Sequence, residues 1–151
     1  MQSNVIQSSF VSLTPAVDGR WDCIEHLVDL VADAGRVTDR ERAITALRDR
    51  AAESPFGVGL GVAVPHARTA AVREPTVAVA SLANGLDFGG PDGTPARLVV
   101  LLLAPDGADE AHLSLLSAVS RGLVDEDVRD RLLTADDESA VVDAVQTVID
   151  A

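Results

Sequence analysis

Leu98-Val99-Val100-Leu101-Leu102-Leu103-Ala104 is the longest apolar run in the chain. It has the length of one strand and falls far short of the ~20 residues that cross a bilayer. A strand with no polar face is a central strand covered by helices on both sides. Upstream, Thr76 to Leu82 reads as a second strand, and Asn84-Gly85 reads as a tight turn after it. Downstream come three helical segments. Asp109 to Leu123 carries the stripe His112, Leu115/Leu116, Val119, Leu123. Asp125 to Leu133 is short and acid-capped, and Asp137 to Val148 sets Val141, Val145 and Val148 on one face.

The N-terminal third is helical as well. Trp21, Ile24, Leu27/Val28 and Val31 recur at helical spacing, and Gly35 stops that helix. Thr38 or Asp39 caps a second helix carrying Ile44 and Leu47, which ends near Ala52 before Ser54-Pro55 breaks the chain. Met1 to Pro15 reads as an edge strand plus a loop. Gly57 to Pro65 is glycine-rich, hence extended or turning. Helices before and after a strand-rich middle predict an α/β domain, a mixed sheet covered on both faces. At 151 residues there is room for one such domain, 1–151, and not for two.

Composition narrows the function classes. Apolar residues are 47% and charged residues 24%, which is globular. Asp and Glu outnumber Arg by 24 to 12, a formal charge of −12, so a nucleic-acid-binding face is excluded. All 12 basic residues are arginine, and there is neither lysine nor tyrosine. Codon bias or adaptation to high salt, which screens self-repulsion, accounts for such a composition. Met1 to Ser9 has no basic segment and no long apolar core, so no secretory signal is read there. The single cysteine, Cys23, permits no internal disulfide and no cysteine-based zinc site. The expectation is a soluble cytoplasmic domain.

Three histidines are the candidates for chemistry. His66 follows Pro65, which fixes its own φ and restricts Val64, so the backbone entering His66 is stiff. A rigid loop of this kind mounts a nucleophilic imidazole, or simply a histidine satisfied by hydrogen bonds. His112 lies in the first turn of its helix, where the helix dipole favours the neutral ring. It reads as a core or capping histidine that retains one donor. His26 sits off the apolar stripe of its helix and reads as solvated.

Other motifs yield to plainer readings. Gly57-Val58-Gly59-Leu60-Gly61 has no clear strand before it, and Pro65 stands where a dinucleotide-binding helix would start. Asp87-Phe88-Gly89 spells a kinase magnesium motif in a chain too short for a kinase and lacking the phosphate-binding lysine. It reads as a turn after a strand. The clusters Asp125/Glu126/Asp127 and Asp136/Asp137/Glu138 sit at helix starts, where carboxylates cap. Cys23 reads as a small buried apolar residue. Two histidines without a third ligand make no metal site.

Gly57 to Arg68, with Val62-Ala63-Val64-Pro65-His66 at its centre, resembles the phosphorylation-site segment of the phosphotransferase-system enzyme IIA domains of the fructose/mannitol type. The resemblance continues through Glu74-Pro75-Thr76-Val77-Ala78-Val79, Gly85 to Phe88, Asp92-Gly93 with Pro95, Leu98 to Ala104, and Ala104-Pro105-Asp106-Gly107-Ala108 before His112-Leu113. Arg50, sixteen residues before His66, matches the family's arginine, and His112 matches its second active-site histidine. Nearly the whole chain is covered, and Ala67-Arg68 and Ala104 to Ala108 look closest to the fructose-type branch. Two positions depart. Ala51 stands where relatives often carry an acidic residue, and Phe56 replaces a serine or threonine ten residues before the histidine.

The resemblance implies a three-layer α/β/α domain with a mixed sheet and the function of a phosphocarrier. The histidine-phosphorylated carrier HPr would donate, and His66 would attack through Nε2 and hold a phosphohistidine. An enzyme IIB cysteine, usually alongside a IIC permease, would then receive the group for sugar uptake. His112 would donate a hydrogen bond to a phosphoryl oxygen and Arg50 would supply fixed positive charge. Phosphoryl transfer asks chiefly for positioning and charge neutralisation, so no metal or organic cofactor is required. The chain contains no IIB or transporter segment, and therefore looks like a stand-alone IIA subunit. The alternatives are the nitrogen-related regulatory branch of the same fold, a binding module without phosphotransfer, and a metal-dependent hydrolase.

Overall fold

The computed structural model describes residues 5–150. After a short 3-10 turn at Ser8–Phe10 the elements are β1 (Val11–Leu13), α1 (Arg20–Asp33), α2 (Arg40–Glu53), β2 (Gly57–Gly59), β3 (Val62–Ala63), β4 (His66–Arg68), β5 (Thr76–Leu86), β6 (Ala96–Ala104), α3 (Asp109–Val124), α4 (Glu126–Leu133) and α5 (Glu138–Asp150). The strands form one mixed sheet in the order β1-β5-β6-β3-β2, with β4 also paired to β6. β1 runs parallel to β5, and β3 and β4 run parallel to β6. β5 is antiparallel to β6, and β2 to β3.

The apolar run is the central strand the sequence predicts. Every residue from Leu98 to Ala104 is at most 1% exposed. Side chains alternate across a strand, so Val99, Leu101 and Leu103 join a core with α1 and α2, and Leu98, Val100 and Leu102 join one with α3, α4 and α5. β5 splits in the same way, Ala78 and Ala80 to the first core, Val77 and Val79 to the second. Each large side chain so buried contributes roughly 1.5–3 kcal/mol of hydrophobic stabilisation, so β6 organises both layers. The result is the α/β/α arrangement expected from the sequence.

The helix boundaries follow their capping residues. Asp39 accepts a hydrogen bond from Arg42 N, and Asp125 accepts one from Asp127 N. Asp137 accepts one from Ala140 N at the start of α5. The edge strand expected within Met1–Pro15 is β1. Met1–Asn4, and with them the start of the segment read for a secretory signal, lie outside the described residues, as does Ala151.

The tight-turn expectation fails. Asn84-Gly85 is not a tight turn: β5 runs through both residues to Leu86, with a register irregularity against β6 between Ser81 and Leu86. Neither residue has the positive φ that a two-residue hairpin turn of the Asn-Gly type demands. Gly85 serves close approach instead, because a Cβ there would lie 2.5 Å from Pro95 Cβ. The chain reverses later, through Asp87 to Pro95, where Asp87 accepts from Gly89 N and Asp92 from Thr94 N. The turn expected at Asp87-Phe88-Gly89 lies a few residues later, at Pro91-Asp92, where Gly93 N donates to the Gly90 carbonyl.

Candidate phosphoryl-transfer site

β3 and β4 follow one another along the same edge of β6, interrupted at Val64-Pro65. Leu102 N donates to the Pro65 carbonyl, which keeps the interruption attached to the sheet. Ahead of it, Gly59, Leu60 and Gly61 all adopt positive φ, and Asp92 braces that turn by accepting from Leu60 N at 3.0 Å. His66 is thus the first residue of a three-residue strand rather than a loop residue as expected. Ala67 points into the core beneath α1 and α2, so alternation turns His66 and Arg68 to the face covered by α3.

Three elements converge there. The end of α2 brings Asp49, Arg50 and Glu53, β4 brings His66 and Arg68, and the start of α3 brings Asp109, His112 and Leu113. They enclose an open cleft of about 650 Å³. Sixteen residues separate Arg50 from His66 in sequence, yet Arg50 Nε donates to His66 Nε2 across 3.3 Å. The His66 and His112 ring centres are 6.1 Å apart. All three residues singled out in the sequence therefore meet in one cleft.

The His66 tautomer follows from its contacts. Nδ1 lies 2.8 Å from the Val64 carbonyl oxygen, which can only accept, so the proton is on Nδ1. The Nε2 lone pair is left facing the cleft and the Arg50 donor. Burial holds the His66 pKa below its ordinary 6.5; the Val64 hydrogen bond pushes it up and the Arg50 charge pushes it down again. The ring is neutral at physiological pH, with its in-plane Nε2 lone pair turned to the Arg50 donor.

His112 is deeper, at 7% exposure. Burial first, then the positive potential of a protonated His66, Arg68 and Arg50, lowers its pKa to about 4, against a smaller opposing pull from Asp109. Its Nδ1 is buried without a hydrogen-bond partner. A buried orphan N–H is rarer than a buried orphan acceptor, so the proton belongs on Nε2. His112 is the stripe residue read from the sequence, and burial keeps its ring neutral.

Two side chains gain a place that the sequence did not assign them. Phe56, noted only as a departure, is 4% exposed and packs between Trp21 and His66, with ring centres 6.4 and 5.6 Å away. Arg68, noted only as a branch feature, lines the cleft and pairs with Asp109. The sequence carried no signal for Arg68, because β4 is only three residues long. His26 is corrected: it is half-buried, and its Nε2 lies 2.8 Å from Ser12 Oγ on β1, far from the cleft. Cys23 is fully buried in α1 as expected, and burial followed by the Asp22 charge pushes its thiol up to about 12. Among the described residues no cluster of three or more His, Cys, Asp or Glu side chains is arranged to hold a metal ion. No described helix is long and apolar enough to cross a membrane.

The family described as "Phosphoenolpyruvate-dependent sugar phosphotransferase system, EIIA 2" matches residues 4–148. The chain is 43% identical over 148 residues to the PTS system fructose-specific EIIA component of Haloferax volcanii, covering 98% of this chain and 96% of that protein. It is 35% identical over 125 residues to a nitrogen regulatory protein of Pseudomonas aeruginosa, covering 83% and 81%. Among solved structures, nitrogen regulatory protein IIA-Ntr from Neisseria meningitidis superposes with a TM-score of 0.87 at 26% identity, over 95% of this chain and 97% of that one.

Proposed function

The chain belongs to the EIIA 2 family of the phosphoenolpyruvate-dependent sugar phosphotransferase system, in its fructose branch, and we propose that it is a phosphocarrier whose His66 accepts a phosphoryl group from phosphorylated HPr. The observation that carries this reading is the His66 ring itself. Nδ1–H is held by Val64, and the Nε2 lone pair is presented to a cleft beside a guanidinium.

In the proposed step the donor's N–P bond breaks as a bond forms from phosphorus to His66 Nε2. The electron pair of the broken bond returns to the donor's ring nitrogen. The His66 proton stays on Nδ1, hydrogen-bonded to the Val64 carbonyl, so no proton has to move during transfer. Arg50 neutralises charge on the phosphoryl oxygens, and His112 donates to one of them from Nε2. Such fixed donors are effective because a loose phosphoryl-transfer transition state carries its charge on the peripheral oxygens.

The acceptor in this reading is the cysteine of an enzyme IIB, paired with a IIC permease that imports and phosphorylates a sugar, fructose in first place. The whole chain, 1–151, acts as one cytoplasmic IIA unit. The likeness to nitrogen regulatory proteins supports a second reading, in which the same phosphohistidine signals to other proteins. One experiment tests both. The protein is mixed with phosphorylated HPr, the labelled residue is identified by mass spectrometry, and candidate IIB is then added. Label on His66 that moves to IIB supports sugar transport, label on His66 that stays supports the regulatory reading, and no label on His66 removes both.

A further inference from the structure

Arg68 occupies an odd position for a cation beside a phosphoryl site. It shares the α3-facing side of β4 with His66, two residues away and so roughly 6.5–7 Å along the strand. It lines the same cleft. Yet its Nη1 is engaged by the carboxylate of Asp109, at the first position of α3. Both side chains are accessible, 44% and 72% exposed.

The charge inventory of the cleft makes the pairing consequential. Four carboxylates, Asp49, Glu53, Asp106 and Asp109, line it against two guanidiniums, Arg50 and Arg68, with both histidines neutral. Arg50 itself lies 3.6 Å from Glu53. The empty cleft is therefore net negative, and a phosphoryl dianion entering it meets repulsion. An exposed ion pair adds little stability. A guanidinium fork on a phosphoryl group is a stronger, bidentate interaction. Asp109, once released, remains at a helix N-terminus that favours a negative charge.

We infer that Arg68 is a second phosphoryl-binding arginine, held on Asp109 while the cleft is empty and transferred to the phosphoryl oxygens when His66 is charged. The inference rests on the reading of His66 as the phosphoryl acceptor. It assigns Arg68 to holding the phosphorylated state, and Asp109 to opposing that state by competing for Arg68.

Wild type and the variants Arg68→Gln, Arg68→Lys and Asp109→Asn are each equilibrated with phosphorylated HPr, and the distribution of phosphate between the two proteins is measured. The side-chain 15N signals of Arg68 are followed in the wild type on phosphorylation. Wild type without label on His66 sinks the reading of the site itself, whatever the variants do. With His66 labelled, the expected result is an equilibrium about tenfold less favourable to the phosphorylated protein in Arg68→Gln. Arg68→Lys keeps more than Arg68→Gln, Asp109→Asn exceeds wild type, and the Arg68 signals move. An unchanged equilibrium in Arg68→Gln, or Arg68 signals that stay in place, overturns the inference and leaves His66 as acceptor intact. Equal losses in Arg68→Gln and Arg68→Lys, or a loss in Asp109→Asn, point to a merely structural ion pair and overturn it as well.

Discussion

The Val64 carbonyl accepts a hydrogen bond from the ring of His66, two residues further along the same chain, at 2.8 Å. The contact is local, so it needs no other part of the fold to set the tautomer. Pro65 between them restricts Val64 to extended backbone and so aims its carbonyl. The lone pair at Nε2 is thereby fixed by three consecutive residues, whereas the guanidinium beside it comes from α2 and the second imidazole from α3.

Replacing His66 with alanine is expected to abolish labelling by phosphorylated HPr while the sheet survives. The β4 pairing to β6 runs through backbone atoms, and the ring is only half-buried. Circular dichroism and a label assay check both halves. The wild-type adduct is expected to be acid-labile and base-stable, as a phosphoramidate is. A base-labile adduct would point to a carboxylate instead.

Arg50 and His112 are expected to act on the group in transit. Loss of a donor aimed at developing charge costs on the order of 10²–10³ in rate, so Arg50→Ala slows transfer in both directions without relocating the label. His112→Gln retains a neutral donor and is expected to outperform His112→Ala. Rapid-quench kinetics separate the cases, and wild-type rates in both alanine variants would leave only His66 in the site.

The two histidines set a pH signature. His66 titrates below 6.5 and His112 near 4, so NMR titration of the ring protons is expected to find both neutral at pH 7. The unfolded chain binds a proton at each near 6.5. Between there and the folded values the unfolded state holds more protons, so these groups favour folding fully above pH 6.5 and progressively less as pH falls towards 4. Denaturant titrations across that window are expected to give a shallower pH slope for His112→Gln than for wild type. Equal slopes would show that His112 is not held neutral by burial.

Phe56→Ala removes a buried ring that bridges Trp21 and His66. A cost of roughly 3–5 kcal/mol in stability is expected from the lost burial and the cavity left behind. Phe56→Leu refills most of that volume and is expected to recover most of the stability, but not the ring contact with His66. Chemical denaturation measures the first effect, and the His66 ring-proton shift measures the second.

Long periodic segments were legible in the sequence, because burial on one side of a helix leaves a 3.6-residue trace such as Trp21, Ile24, Leu27/Val28, Val31. Leu98 to Ala104 was legible for a related reason: a strand covered on both faces has no polar position. Asn84-Gly85 misled because the dipeptide's turn preference is local, while its place in β5 is set by Pro95 packing onto Gly85 from across the sheet. His66 looked like a loop residue because a three-residue strand is too short to show alternation. His26 looked solvated because its partner, Ser12, lies on a neighbouring strand. Arg50, His66 and His112 were named as a trio through a resemblance. The sequence alone held no trace of the 3.3 Å approach of Arg50 to His66, since it depends on how α2 packs beside β4.

The pairing of β4 has a consequence for biosynthesis. Among the described residues β4 has one strand partner, β6, and the contact runs from His66–Leu102 to Arg68–Ala104. A nascent chain leaves the ribosome from its N-terminus. α1, α2 and the β2–β3 hairpin therefore emerge with their local contacts available, while the histidine strand waits for residues more than thirty positions downstream. His66 cannot be seated until Leu102 has cleared the exit tunnel, and His112 follows ten residues later in the first turn of α3. His66, its strand support and His112 are thus completed close together, so a polypeptide released before β6 carries the Pro-His segment without a cleft around it.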